Sequence, residues 1–293
     1  MKIMRFIGIV FALFSAGSPS DTSAQDSGKK YKVYMVSNSH LDTQWRWDVK
    51  ATIDDYLYNT AVQNLALLEK YPHYVFNFEG AVKYEWIKEY YPHLFERIRK
   101  FVADGRWNIS GASFEANDPN MPSSESFIRN ILLAQEFYKK EFGIKSKDMF
   151  LPDCFGFSQV MPTLGHHCGL IGFSTQKLSW RKHDFFPDAP YHKKNPFSWG
   201  VWYGIDGQSL MAAFDTGGYT AELPADAGYN KDFIRRASNG FDNTAMRYYS
   251  GGHLHGTTNC GDKGNSGTVT TARRMAEAMA DLDAPVQLIS ATS

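Results

Sequence analysis

Short apolar runs alternate with longer stretches of helical periodicity over much of the chain. Residues 31–36 are rich in strand-forming side chains and end abruptly in a polar string, whereas 51–71 has apolar residues at helical spacing. The same alternation predicts further strands and helices. Strands are predicted at 74–78, 107–110, 148–151 and 170–175, and helices at 81–100, with an interruption around Pro92, at 123–142 and at 160–167.

The pattern changes after residue 181. Residues 181–259 are aromatic, glycine-rich and irregular, apart from 199–214, which predicts a β-hairpin with its turn at 204–207. A helix at 271–280 and a strand at 286–289 follow. Strands that alternate with helices favour an α/β fold with a parallel sheet.

Polar residues that could take part in catalysis follow the predicted strands. They are His40, Glu79, the stretch 110–115 and Asp153. Because the active site of a β/α barrel lies at the carboxyl ends of its strands, this placement is typical of an enzyme. A length of 293 residues fits one large barrel or two domains of roughly 150 residues.

Composition narrows the classes of partner. The chain has 31 basic and 31 acidic residues, so no global basic field attracts a phosphate backbone, and nucleic acid is excluded as an expected partner. Aromatic residues make up 15%, which suits a cleft that binds sugar rings. Three cysteines are too few for a disulfide framework or a zinc knuckle.

Two segments of one chain could supply metal ligands. His40 and Asp42 lie two residues apart after the first strand, and Asp153 follows a later strand in the same way. One imidazole and two carboxylates suit zinc, although manganese or cobalt could use them, and a His and Asp that merely cap a loop are the alternative. A glycosidase also needs two carboxylates, and Asp262 lies in a Gly-Asp-Lys-Gly turn that would let its side chain project.

Three motifs together resemble the catalytic domain of glycoside hydrolase family 38, the retaining α-mannosidases. They are HLDTQW at 40–45, PDCFG at 152–156 and FSTQKLSW at 173–180, and the resemblance extends over 31–293. It implies a seven-stranded β/α barrel that binds one Zn²⁺ through His40, Asp42 and Asp153. It also implies that Asp153 is the nucleophile.

The same resemblance implies the rest of the site. Trp45 would form a wall of the sugar site, Asp262 would be the acid/base, and the substrate would be a mannose-containing glycan. Family members continue with a three-helix bundle and β-rich domains, and their fourth zinc ligand is a histidine beyond the point that matches Ser293. We therefore expect 31–293 to be a catalytic domain that is incomplete at its C-terminus.

Two other functions stay open at this stage. The first is a truncated, non-catalytic remnant that binds sugar or metal weakly. The second is a metal-dependent carbohydrate deacetylase, which would also use His and Asp on a β/α barrel. Trp45 and the FSTQKLSW stretch disfavour the deacetylase.

The amino terminus predicts export. Basic residues precede an apolar run at 6–14, and small residues follow at 22–24, as in a secretory signal peptide. A run of this length is too short to span a bilayer. Residues 1–24 are thus the predicted signal peptide and 25–30 a polar leader. The mature protein is predicted to be secreted or periplasmic, without a membrane anchor.

Cleavage after Ala24 is directly measurable. Because the basic start, apolar run and small residues supply the three parts that signal peptidase requires, the exported protein should begin at Gln25. Intact-mass analysis of secreted material checks this. A cytoplasmic product that still begins at Met1 would refute it.

Overall fold

In the computed structural model, the described residues are 31–177, 199–214, 216–218, 223–237, 245–253 and 269–293. The predicted signal peptide, the leader and Asp262 lie outside them. No helix in these ranges has both the length and the apolar character that a bilayer span requires.

The described strands are β1 Tyr31–His40, β2 Phe76–Glu79, β3 Trp107–Ser110, β4 Asp148–Phe150, β5 Gly172–Thr175, β6 Trp199–Tyr203, β7 Ser209–Phe214, β8 Thr216–Gly218, β9 Ala245–His253 and β10 Val286–Ser290. The described helices are α1 Val49–Ala51, α2 Tyr58–Lys70, α3 Ala81–Tyr90, α4 Pro92–Ala103, α5 Ser124–Phe142, α6 Met161–His167, α7 Lys231–Ala237 and α8 Val269–Ala280. A π-helical stretch, Thr52–Leu57, joins α1 to α2.

These strands form two sheets. One has the order β3-β2-β1-β9-β8, with β10 also paired to β1, and the other has the order β4-β5-β7-β6. Among the described pairings, only the β6–β7 hairpin is antiparallel. The predicted α/β class with parallel strands is confirmed. The predicted closed ring of seven strands is not confirmed, because these pairings divide the strands between two sheets.

Local sequence signals set the boundaries of the elements. Ser123 precedes α5 and accepts a hydrogen bond from the backbone N–H of Ser126 at 3.2 Å, which satisfies one free donor of the first turn. Gly143 ends the helix with a φ of 73°, in the left-handed region that favours glycine. The predicted break near Pro92 is confirmed, because α3 ends at Tyr90 and α4 begins at Pro92.

The prediction of irregular structure over 181–259 is wrong for three described stretches, β8, α7 and β9. Strand β9 pairs with β1 in parallel from Lys32↔Ala245 to His40↔His253. Its buried residues Met246 and Tyr248 alternate as a strand requires, but two glycines follow and hide the signal. The strand is held by its pairing with β1, which the local sequence does not reveal.

An aromatic cluster packs α3 against the sheet beneath it. The ring of Phe76 contacts that of Trp107 edge to face, with centroids 4.7 Å apart. Tyr84 is fully buried, and its hydroxyl accepts a hydrogen bond from Trp107 Nε1 and donates one to the carbonyl oxygen of Phe78, both at 2.9 Å. This hydroxyl therefore joins α3 to both β2 and β3.

Replacing Tyr84 with Phe should destabilise the chain by about 1–3 kcal/mol, because it leaves a buried indole N–H and a buried carbonyl without their partner. Urea denaturation measures the loss. The matched control is Tyr90→Phe at a residue that is 51% exposed, which should change stability by less than about 0.5 kcal/mol. Equal effects of the two variants would contradict this account of the cluster.

Candidate active site

The end of β1 places the side chain of His40 in the interior. His40 is the last residue of β1 and is 2% exposed. The chain then turns, with Leu41 buried and Asp42 half-buried. His40 Nε2 lies 3.2 Å from Asp42 Oδ1, so the two side chains face one another across the turn.

Asp153 reaches the same point from the other sheet. It lies three residues after the end of β4 at Phe150, and its Oδ2 is 3.7 Å from His40 Nε2. One potential ligand atom from each of His40, Asp42 and Asp153 lies within 4.8 Å of the other two. The structure therefore brings together the three residues that the sequence singled out as metal ligands.

This donor set fits a divalent metal. One imidazole nitrogen and two carboxylates are ligands that zinc accepts, and manganese and cobalt use similar sets. The side chains of Asp42 and Asp153 are only partly exposed, which leaves one side of the cluster open to solvent. A metal held here would be reached by a substrate from that side.

Glu79, the last residue of β2, lies on the opposite side of the imidazole. Its Oε1 is 2.7 Å from His40 Nδ1. Burial disfavours the charged imidazole, but hydrogen bonds to Asp42 and Glu79, together with their charges, outweigh it and raise the pKa of His40 to about 9. Burial likewise opposes the charged form of Glu79, yet the charge of Lys83 and the contact with His40 lower the pKa of that carboxyl. Glu79 is thus an anion in the interior.

Lys177 was not singled out from the sequence as a site residue. It is buried two residues after β5, and its Nζ forms an ion pair with Asp153 Oδ1. Burial lowers the pKa of this lysine, although the charge of Asp153 opposes the shift. One signal in the sequence was available. Lys177 lies in the FSTQKLSW motif just after β5, and β5 ends at the same edge of the sheet as β4, the strand before Asp153.

Two exposed aromatic side chains follow the candidate ligands closely in the sequence. Trp45 is 45% exposed, and the guanidinium carbon of Arg46 lies 4.3 Å from its ring centroid. Phe155 is also exposed, and Lys177 Nζ lies 4.6 Å from its ring centroid. Trp45 is therefore accessible to solvent, as a wall of a sugar site would require, and that role stays a prediction.

Two other loop carboxylates, Asp118 and Asp206, have local structural partners. Asp118 accepts hydrogen bonds from the backbone N–H groups of Asn120 and Met121. Asp206 accepts one from Thr163 at 2.6 Å and lies 2.9 Å from His167 Nε2. These contacts hold surface turns, so the structure gives neither residue a place in the cluster.

Comparison with known proteins places these residues in a family. Residues 30–285 match the model of the glycosyl hydrolases family 38 N-terminal domain. The chain is 35% identical over 239 residues to "Alpha-mannosidase G" of Dictyostelium discoideum, covering 78% of this chain and 20% of that protein. It is 32% identical over 246 residues to "Alpha-mannosidase" of Saccharomyces cerevisiae, covering 83% of this chain and 21% of that protein.

A solved structure has the same fold. The crystal structure of an alpha-mannosidase from Enterococcus faecalis V583 superposes with a TM-score of 0.70 at 21% identity, covering 90% of this chain and 28% of that one. The chain therefore belongs to glycoside hydrolase family 38 and corresponds to its N-terminal domain. It spans about a fifth of the length of the Dictyostelium and yeast relatives.

Removing a ligand should remove the metal. His40→Ala and Asp42→Ala should each weaken zinc binding on the order of 100-fold or more, because each deletes a donor from a three-residue cluster. Competition with a chromophoric chelator measures the affinity. The control is Asp232→Ala, an exposed carboxylate on α7, which should bind zinc as the wild type does. Full zinc affinity in both site variants would show that they are not ligands.

Proposed function

We propose that this chain carries the catalytic site of a retaining, zinc-dependent α-mannosidase that removes terminal α-linked mannose from glycans. The observation that carries the proposal is the convergence of His40, Asp42 and Asp153 at the carboxyl ends of β1 and β4. Membership of family 38 supports it, and so do the printed names of the relatives.

Asp153 acts as the nucleophile. Its carboxylate attacks the anomeric carbon, the bond from that carbon to the leaving oxygen breaks, and a covalent mannosyl ester forms on Asp153. Water then cleaves the ester, and two inversions at the anomeric carbon give net retention. Lys177 stabilises the anionic form of Asp153 and holds its Oδ1, which leaves Oδ2 on the side of His40.

The metal and two further residues complete the proposed site. A zinc ion held by His40, Asp42 and Asp153 would supply two coordination positions for adjacent sugar hydroxyls and so orient the ring. Asp262 would protonate the leaving oxygen and then activate water, as the resemblance implies, although it lies outside the described residues. Trp45 would cover the apolar face of the sugar.

We also propose that the two sheets join as the seven-stranded barrel of the family. The backbone N–H of Ala112, just after β3, donates to the carbonyl oxygen of Asp148 in β4 at 2.8 Å, which supports a connection between the sheets on one side. On the other side, β8 begins two residues after β7 ends. The ring would then run β1-β2-β3-β4-β5-β7/β8-β9, with β10 beside β1.

We also propose that the protein is exported, which would put the activity outside the cytoplasm, where the substrate would be a mannose-containing glycan. This location rests on the amino-terminal sequence pattern alone.

Replacing Asp153 with Asn should lower turnover on the order of 10³-fold or more, because an amide is not an anionic nucleophile. The assay is release of the aryl group from an aryl α-mannoside by the zinc-loaded chain joined to the downstream domains that the family resemblance implies, with Asp232→Asn as control. Proton NMR of the first product formed by the wild type should show α-mannose.

Three results would contradict the proposal. One is a tenth or more of wild-type turnover in Asp153→Asn, and another is a β-configured first product. The third is no turnover by the zinc-loaded wild type, which would favour the remnant that only binds sugar or metal.

A further inference from the structure

A completely buried ion pair lies directly behind the candidate metal site. Lys83, in the first turn of α3, is 0% exposed, and its Nζ lies 3.9 Å from Glu79 Oε1. Lys83 Nζ also lies 5.5 Å from the ring centroid of Phe78. Burying two charges has a large desolvation cost, and hydrophobic residues of the same size often serve stability as well or better. The pair is therefore poorly explained by stability alone.

The backbone between the two charges accommodates the lysine. Gly80 connects β2 to α3 with a φ of 89°, a conformation that L side chains rarely adopt. A Cβ at this position would lie 3.2 Å from Lys83 Cε and 3.4 Å from its Nζ. Gly80 thus provides both the turn and the space for Lys83 to reach Glu79.

Glu79 uses its two oxygens for two different neighbours. Oε1 is 2.7 Å from His40 Nδ1, and Oε2 accepts a hydrogen bond from Asn38 Nδ2 at 2.6 Å. Only a carboxylate accepts from both sides. A glutamine here has only one acceptor oxygen. It would either turn its N–H₂ group towards His40 or place that donor against the N–H₂ donor of Asn38.

We infer that Glu79, held by Asn38 and Lys83, is the positioning residue that keeps the Nδ1 proton on His40 and so aims the free electron pair of Nε2 at the metal. A neutral imidazole carries one N–H, and the partner of that N–H determines which nitrogen binds metal. His40 Nε2 faces Asp42 Oδ1 and Asp153 Oδ2, on the opposite side from Glu79. The inference rests on the proposed function, because it assigns a metal to that cluster.

The test removes both buried charges together. Glu79→Gln alone would leave Lys83 as an unpaired buried charge and could unfold the chain, so the informative variant is Glu79→Gln combined with Lys83→Met. The matched control is Glu125→Gln combined with Arg129→Met, an exposed ion pair with the same four-residue spacing on α5. Thermal denaturation confirms that both double variants fold.

Two readouts separate positioning from a purely structural role. Zinc affinity, measured by competition with a chelator, should fall about 10–100-fold in the buried-pair variant and stay within about twofold in the control. Long-range ¹⁵N–¹H NMR of the zinc-loaded wild type should show the His40 proton on Nδ1, and this signal should be lost in the buried-pair variant.

Wild-type zinc affinity in the buried-pair variant, or an unchanged Nδ1 proton signal, would overturn the inference and leave the proposed function standing. A wild-type chain that does not bind zinc would overturn both. Loss of mannosidase turnover without loss of zinc affinity would also count against positioning through His40.

Discussion

Asn38 is buried near the end of β1, and the need to give its side-chain amide hydrogen-bond partners constrains the site. Asn38 donates hydrogen bonds to the carbonyl oxygen of Asn77 and to Glu79, and Asn77 donates to the carbonyl oxygen of Ser37. Each such group left without a partner would cost about 1–3 kcal/mol. These bonds join β1 to β2 at Asn38 and Asn77, the residue pair through which the two strands are in register, and they fix the direction in which His40 leaves the sheet.

The charges around His40 follow from the same constraint. Each of its two most buried carboxylate neighbours has a lysine beside it: Lys83 by Glu79 and Lys177 by Asp153. Because a buried charge needs a partner, each lysine stabilises the anionic form of the carboxylate beside it. Asp42 is more exposed, so solvent also screens its charge. The result is a set of anionic oxygens around one imidazole, which favours a divalent cation over neutral ligands.

Local sequence predicted most of the elements and the three clustered residues, because strand and helix periodicity and the position of a polar residue after a strand are local properties. It missed β9, whose partner β1 lies about 200 residues away. Glu79 was recognised as a polar residue after a strand, but its contact with His40 depends on the pairing of β1 with β2. Lys83 lies at an apolar position of a helix, where sequence gives no reason to expect a buried cation.

The most direct test of the central claim is an anomalous diffraction measurement at the zinc absorption edge on crystals of the zinc-loaded chain. The account predicts one peak at about 2.0–2.2 Å from His40 Nε2 and from a carboxylate oxygen of both Asp42 and Asp153. A peak bound through His40 Nδ1, or one that lacks Asp153 as a ligand, would contradict it.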